Sequence, residues 1–358
     1  MSPRFCLALI VVGIVSAASA VQAQVGVTDG PKGVVVNPKS GKAYVAFPDL
    51  GMVKIVAAGR GPTKVTKVAT GANVKSLTFN PKTEEVYAMN RGPGTVSVID
   101  PKSDAVTATL KADRGSVTAL NPVTNRLYVA ASTGTAPSVI DLATGQSTTI
   151  ETTTEGHTLA VNTRKNRVYL IGYEDNFLTI VDGASHKTRN LTIPGLHQWE
   201  AALDTRRGLL YVPSPNDDQV IVVDTESESV ATIGTGQTPM AAAVNEGTNR
   251  IYVVNYASND VTVIDGQTRR PVANVGVGLW PQQLAINPRT NAVYVVNTHA
   301  DSVSVIDGRT NRVKATVPTS RGPWAVAVDA VANRIYVANR LSDRVTIIDG
   351  KTNRATEH

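Results

Sequence analysis

Tyr residues recurring every 41 to 43 positions, four short β-patterned runs between successive Tyr residues, and a composition that is 42% apolar but only 5% aromatic predict an all-β fold, a propeller of four-stranded antiparallel blades. The register residues are Tyr44, Tyr87, Tyr128, Tyr169, Tyr211, Tyr252, Tyr294 and Tyr336, which gives eight units in 358 residues. Length alone would imply two or three domains of roughly 150 residues. The repeat replaces that with a single ring.

The unit following Thr238 shows the pattern most clearly. Residues 240–244, 250–254, 261–264 and 271–275 read as strands, separated by clusters of Asn, Asp, Gly, Ser and Thr. The second and third runs are apolar on both faces, as strands covered on both sides require. The first is rich in Ala and Val, small enough for a crowded axis, and the fourth is more polar. An Asp ends each third strand from the second unit onward, at Asp100, Asp141, Asp182, Asp224, Asp265, Asp307 and Asp349. Each is expected to cap the following turn through its side chain. The Asn of Tyr-Val-x-Asn is read as a second turn cap, and the Tyr as an inter-blade packing residue with a bonded hydroxyl.

The units run over about 30–70, 71–113, 114–154, 155–196, 197–237, 238–279, 280–321 and 322–358. The last stops where its fourth strand should begin. Residues 21–27 (VQAQVGV) resemble 272–278 (VANVGVG), so the mature N-terminus is expected to supply the missing strand and close the ring. Ahead of it, Arg4, an apolar run over 6–15 and Ala18-Ser19-Ala20 have the layout of a cleaved secretory leader covering 1–20, with Ala23 as the other cleavage point. Residues 21–358 then form the propeller, in the periplasm or outside the cell. No later stretch approaches the roughly 20 apolar residues of a membrane span. Cys6 is the only cysteine, so a mature chain has no disulfide and no thiol chemistry.

Tyr-Val-Val-Asn at 252–255 and 294–297 and Tyr-Val-Ala-Asn at 336–339 are followed by VTVIDG, VSVIDG and VTIIDG and then by Thr-Asn-Arg or a close variant. In these motifs the chain resembles the YVTN-repeat β-propeller family of secreted and periplasmic bacterial proteins. Members are often seven-bladed, so the resemblance implies seven blades where the Tyr count gives eight. It implies nothing specific about activity.

Function in a propeller resides where side chains depart from the repeat, at the loops that crowd one mouth of the channel. The position opening each first strand holds Lys32, Lys75, Ser116, His157, Trp199, Met240, Gln282 and Trp324, with Trp280, Glu200 and Gln283 beside it. Loops between second and third strands add Arg91, Tyr173, Glu174, Tyr256, His299 and Arg340. All three Trp residues fall in this set. Two readings follow: a mouth plugged by large side chains, or a concave aromatic and polar site for a small molecule, glycan, peptide or protein. Trp199, Trp280, Trp324, His157, Glu200, Arg91, Tyr173, Tyr256, His299, Arg340 and Lys75 are its candidate contacts, and no catalytic residue is assigned.

No sequence motif requires an organic cofactor. A divalent metal would have to draw on His157, Glu200, Glu174 and His299, the donor set of the alternative reading as a metal-dependent lactonase or lyase. A third reading uses the net charge of +6. Arg164, Lys165, Arg167, Lys187, Arg189, Arg206, Arg207, Arg269, Arg270, Arg309, Arg312 and Lys314 lie on the opposite edge, where they would track single-stranded nucleic acid or another polyanion.

Overall fold

The computed structural model describes residues 33–358 apart from 60, 131–135, 155 and 196, together with the backbone of 25–27. These residues form eight antiparallel sheets whose four sequential strands are laid out from the channel to the rim, one per Tyr unit, and the blade number is eight. Blade 6 is representative, with strands Pro239–Asn245, Arg250–Asn255, Asp260–Asp265 and Arg270–Gly276. Helical structure among the described residues is limited to two 3₁₀ turns, Pro48–Leu50 and Pro215–Asp217, and no helix is long and apolar enough to cross a membrane.

Burial explains the composition of the strands. Ile251, Tyr252, Val253 and Val254 of the second strand, and Val261, Val263 and Ile264 of the third, are fully buried because neighbouring blades cover both faces. The outer strand buries Val275 and leaves the rest open or half-open. The Tyr residues are the largest fully buried side chains. Their hydroxyls depart from expectation: Tyr87 donates to Glu85 (2.8 Å) and Tyr336 to the Gly41 carbonyl (3.1 Å), whereas those of Tyr44, Tyr211, Tyr252 and Tyr294 have no hydrogen-bond partner among the described residues.

The repeated polar residues hold turns and seams. Asp265 Oδ1 accepts from the amides of Gln267 (2.9 Å) and Thr268 (2.8 Å), and these bonds with Arg250 draw its pKa down to about 2. The Gly after several of these Asp residues is a packing requirement: a Cβ on Gly308 would stand 2.6 Å from the Asn291 carbonyl and 2.7 Å from the Tyr252 hydroxyl. Asn291 is itself left-handed (φ +53°) and accepts from Asn245 of the preceding blade at 2.8 Å. The Asn of Tyr-Val-x-Asn braces strands rather than capping a turn. Asn255 donates to Asp260 (2.6 Å) and Thr262 (2.8 Å), and Asn339 to Thr346 (2.7 Å).

Ring closure differs from the sequence expectation. The fourth strand of blade 8 is Ala355–Glu357, which pairs Thr346 with Glu357, Ile347 with Thr356 and Ile348 with Ala355. Glu357 secures it by accepting from Thr346 and Ser320, each at 2.6 Å. With that position filled from the chain's own end, Val25–Val27 instead pairs antiparallel with Thr158–Asn162, the inner strand of blade 4, with Val25 opposite Ala160. Residues 1–24, over which the leader and part of the expected closing strand fall, lie outside the described residues. Blades 8 and 1 join through side chains, Val34 and Val36 packing with Ala325 and Ala327.

Candidate functional site

Five of the loops entering the inner strands share a backbone device. Two residues before the ring position the chain turns left-handed, at Asn73, His197, Thr238, Trp280 and Gly322, with φ between +51° and +66°. In three of them the pivot amide is held by a side chain from the preceding blade: Asp218 holds Thr238 (2.8 Å), Asn259 holds Trp280 (2.8 Å) and Asp301 holds Gly322 (2.7 Å). Gly and Asn suit such a backbone, and bulky or β-branched residues do not.

Three aromatic groups result. In blades 4 and 5, Trp199 meets His157 edge-on at 5.5 Å and Tyr173 at 5.8 Å, and Tyr173 meets His157 at 5.2 Å and His197 at 4.6 Å. Trp199 and His157 are buried, at 6% and 7% exposure. In blades 6 and 7, Trp280 lies 5.3 Å from Tyr256 and 3.9 Å from His299, and remains 42% exposed. In blade 8, the Arg340 guanidinium sits 5.0 Å above buried Trp324. Trp199, Met240 and Trp324 belong to one continuous apolar cluster that reaches Val34 and Phe47 of blade 1, so part of the mouth is plugged.

Glu200 is buried between the inner strands of blades 5 and 6. Its amide donates to the Met240 carbonyl (3.2 Å), and its carbonyl accepts from Ala242 (3.1 Å). Burial pushes the carboxyl well above the usual carboxylate range, and no cation pairs with it among the described residues. At the matching position of blade 7, Gln283 Oε1 accepts from the Val326 amide (2.7 Å), and in blade 2 Ser76 meets Thr118 (2.8 Å). Side chains at this position therefore reach toward the next inner strand.

Lys75 and Arg91 stand half-buried in blade 2, across the ring from the Trp280 group, so the structure does not gather all the candidates into one pocket. Lys32 lies outside the described residues. Glu174 and His299 are exposed, and among the described residues no three His, Cys, Asp or Glu side chains are placed to hold a metal. The suggested His157, Glu200, Glu174 and His299 donor set is thus not assembled: Glu200 turns into a blade seam and His299 stacks on Trp280 two blades away. The basic edge is partly neutralised. Lys165 pairs with Glu226, Arg167 (3.8 Å) and Arg189 with Glu228, and Arg207 with Asp204 (2.9 Å). His197 joins the site without standing out in the sequence, where its only signal is that it occupies the pivot register of Trp280.

The chain matches no protein-family model and no curated protein. Among solved structures it is similar to the dihydro-heme d1 dehydrogenase NirN in complex with DHE, with a TM-score of 0.72 at 14% identity over 90% of this chain and 73% of that one. It is also similar to apo AztD from Citrobacter koseri, with a TM-score of 0.61 at 12% identity over 88% and 93%, and to Kuenenia stuttgartiensis hydrazine synthase, with 0.60 at 17% over 94% and 99%. At such identities the likeness is one of fold, the eight-bladed propeller.

Proposed function

We propose that this protein is an exported binding propeller, related to the YVTN-repeat proteins, that takes a small ligand at the mouth carrying Trp199, Trp280 and Trp324. One observation carries this reading: Trp280 is kept half open on a left-handed backbone that Asn73 and Gly322 adopt more easily at the same register. Strained backbone under an exposed aromatic is a mark of selection for contact rather than for folding. Tyr256 and His299 extend the aromatic surface beside it, while the Trp199 and Trp324 groups provide a rigid floor.

Because all three Trp residues lie at this mouth, intrinsic emission reports on it directly. Titration with flat and polyol probes, hemin among them because the similar NirN structure carries DHE, is expected to give a saturable change in emission. That change should weaken at least tenfold in Trp280→Gly. Binding that survives the substitution unchanged would place the ligand elsewhere.

A further inference from the structure

A shallow groove of about 450 Å³ lies between blades 6 and 7, the blades that carry the exposed aromatic group. Gly278, two residues before Trp280, and Ala300, directly after His299, both line it, so the groove and the rings belong to the same two loops. We infer that this surface is a subsite for a neutral saccharide, an inference that rests on the reading of the mouth as a ligand site and names the ligand's chemistry.

The lining carries the argument. Its one ionisable residue is Asp301, exposed at the groove edge. One carboxylate oxygen of Asp301 accepts from the Gly322 amide at 2.7 Å, while the other has no partner among the described residues and stands as an acceptor. Ser302 and Ser304 accept from Asn297 at 3.2 and 2.9 Å and are buried at 6% and 1% exposure, so they form a braced polar floor beneath the groove. The rest of the wall is mostly apolar: Gly276 and Ala300 are small, and Val277, Val313 and Pro318 supply its larger side chains. At the rim stand Trp280 and Leu279, 42% and 54% exposed. An exposed aromatic surface beside an open carboxylate acceptor, with no cation in the wall, matches a sugar ring, which has apolar C–H faces and a belt of hydroxyls that donate. A phosphate or carboxylate ligand would meet Asp301 with like charge.

The test uses the full mature chain and Trp280→Gly, a substitution that relieves the backbone. Maltohexaose, cellohexaose and chitohexaose are titrated against both proteins by calorimetry and Trp emission, with hemin as the planar non-saccharide probe. The expected result is saturable binding of at least one hexaose to the parent, weakened tenfold or more in Trp280→Gly at an unchanged or higher melting temperature. A hexaose that binds both proteins equally overturns the site. Failure of all three overturns the saccharide assignment; Trp280-dependent binding of hemin would then leave the mouth standing as a ligand site, and failure of hemin too would remove that reading as well.

Discussion

Two aromatic groups at one mouth, built on the same left-handed pivot, have opposite relations to solvent. Around Trp199 the rings of His157 and Tyr173 close edge-on and exclude water, whereas around Trp280 the rings of Tyr256 and His299 stack at shallow angles and leave the indole 42% exposed. The difference divides the two meanings of an aromatic mouth, floor and contact surface, between different blades. The floor should carry the larger stability effect. Trp199→Ala removes a 6%-exposed indole from a cluster spanning several blades and is expected to cost about 3–5 kcal/mol in urea unfolding. A loss below about 1 kcal/mol would mean that the Trp199 group is not a floor, and the comparison would collapse.

Glu200, next to Trp199, sharpens the same point through pH. Its carboxyl is raised by burial alone, so the folded state holds the proton more tightly than the unfolded chain does. The native state is therefore favoured by this group below the unfolded value of about 4.3, and that advantage is lost as pH rises toward the folded value. Glu200→Gln removes the titration. The variant should gain stability over the parent as pH is raised from 4 through 7, by about 1.4 kcal/mol for each pH unit that lies between the unfolded and folded values. Parallel pH–stability curves for the two proteins would show instead that the carboxyl is solvated.

The third contrast lies within the pivot itself. At φ +51° a Cβ is unfavourable by about 1–2 kcal/mol and glycine is not. Trp280→Gly should thus be more stable than Trp280→Ala by about 1 kcal/mol, in the reverse order of their side-chain sizes, as read by thermal melting. The opposite order would show that the backbone at 280 does not disfavour a Cβ, and the strain argued for Trp280 would fall.

The framework was legible because it repeats: Tyr, Asp-Gly and the Asn turns serve the same contacts from blade to blade, and one blade explains the others. The outer strands were not. Ser147–Thr149 and Ala355–Glu357 are exposed at every position, so no hydrophobic period marks them, and the similarity between 21–27 and 272–278 points to the wrong closing strand. The mouth was legible as a set of deviations from the repeat. What sequence withheld was orientation: that Glu200 turns into a seam, that Trp199 and Trp324 join the core, and that His197 shares the pivot of Trp280 depend on backbone handedness and on which neighbouring blade each side chain meets.

The smallest effect tests the open group alone. His299 is exposed and its amide is held by the Leu279 carbonyl at 3.2 Å, so His299→Ala removes a ring without touching the loop's anchoring. Stability should change by no more than about 0.5 kcal/mol, as for surface positions in general. The indole of Trp280 would nonetheless lose the ring 3.9 Å away and become more open to water. In a Trp199→Phe/Trp324→Phe background, where Trp280 is the sole Trp emitter, its fluorescence should shift to the red and acrylamide quenching should rise. A melting temperature that falls as far as that of Trp199→Ala would show that the Trp280 group is a second floor, and the distinction between the two halves of the mouth would be gone.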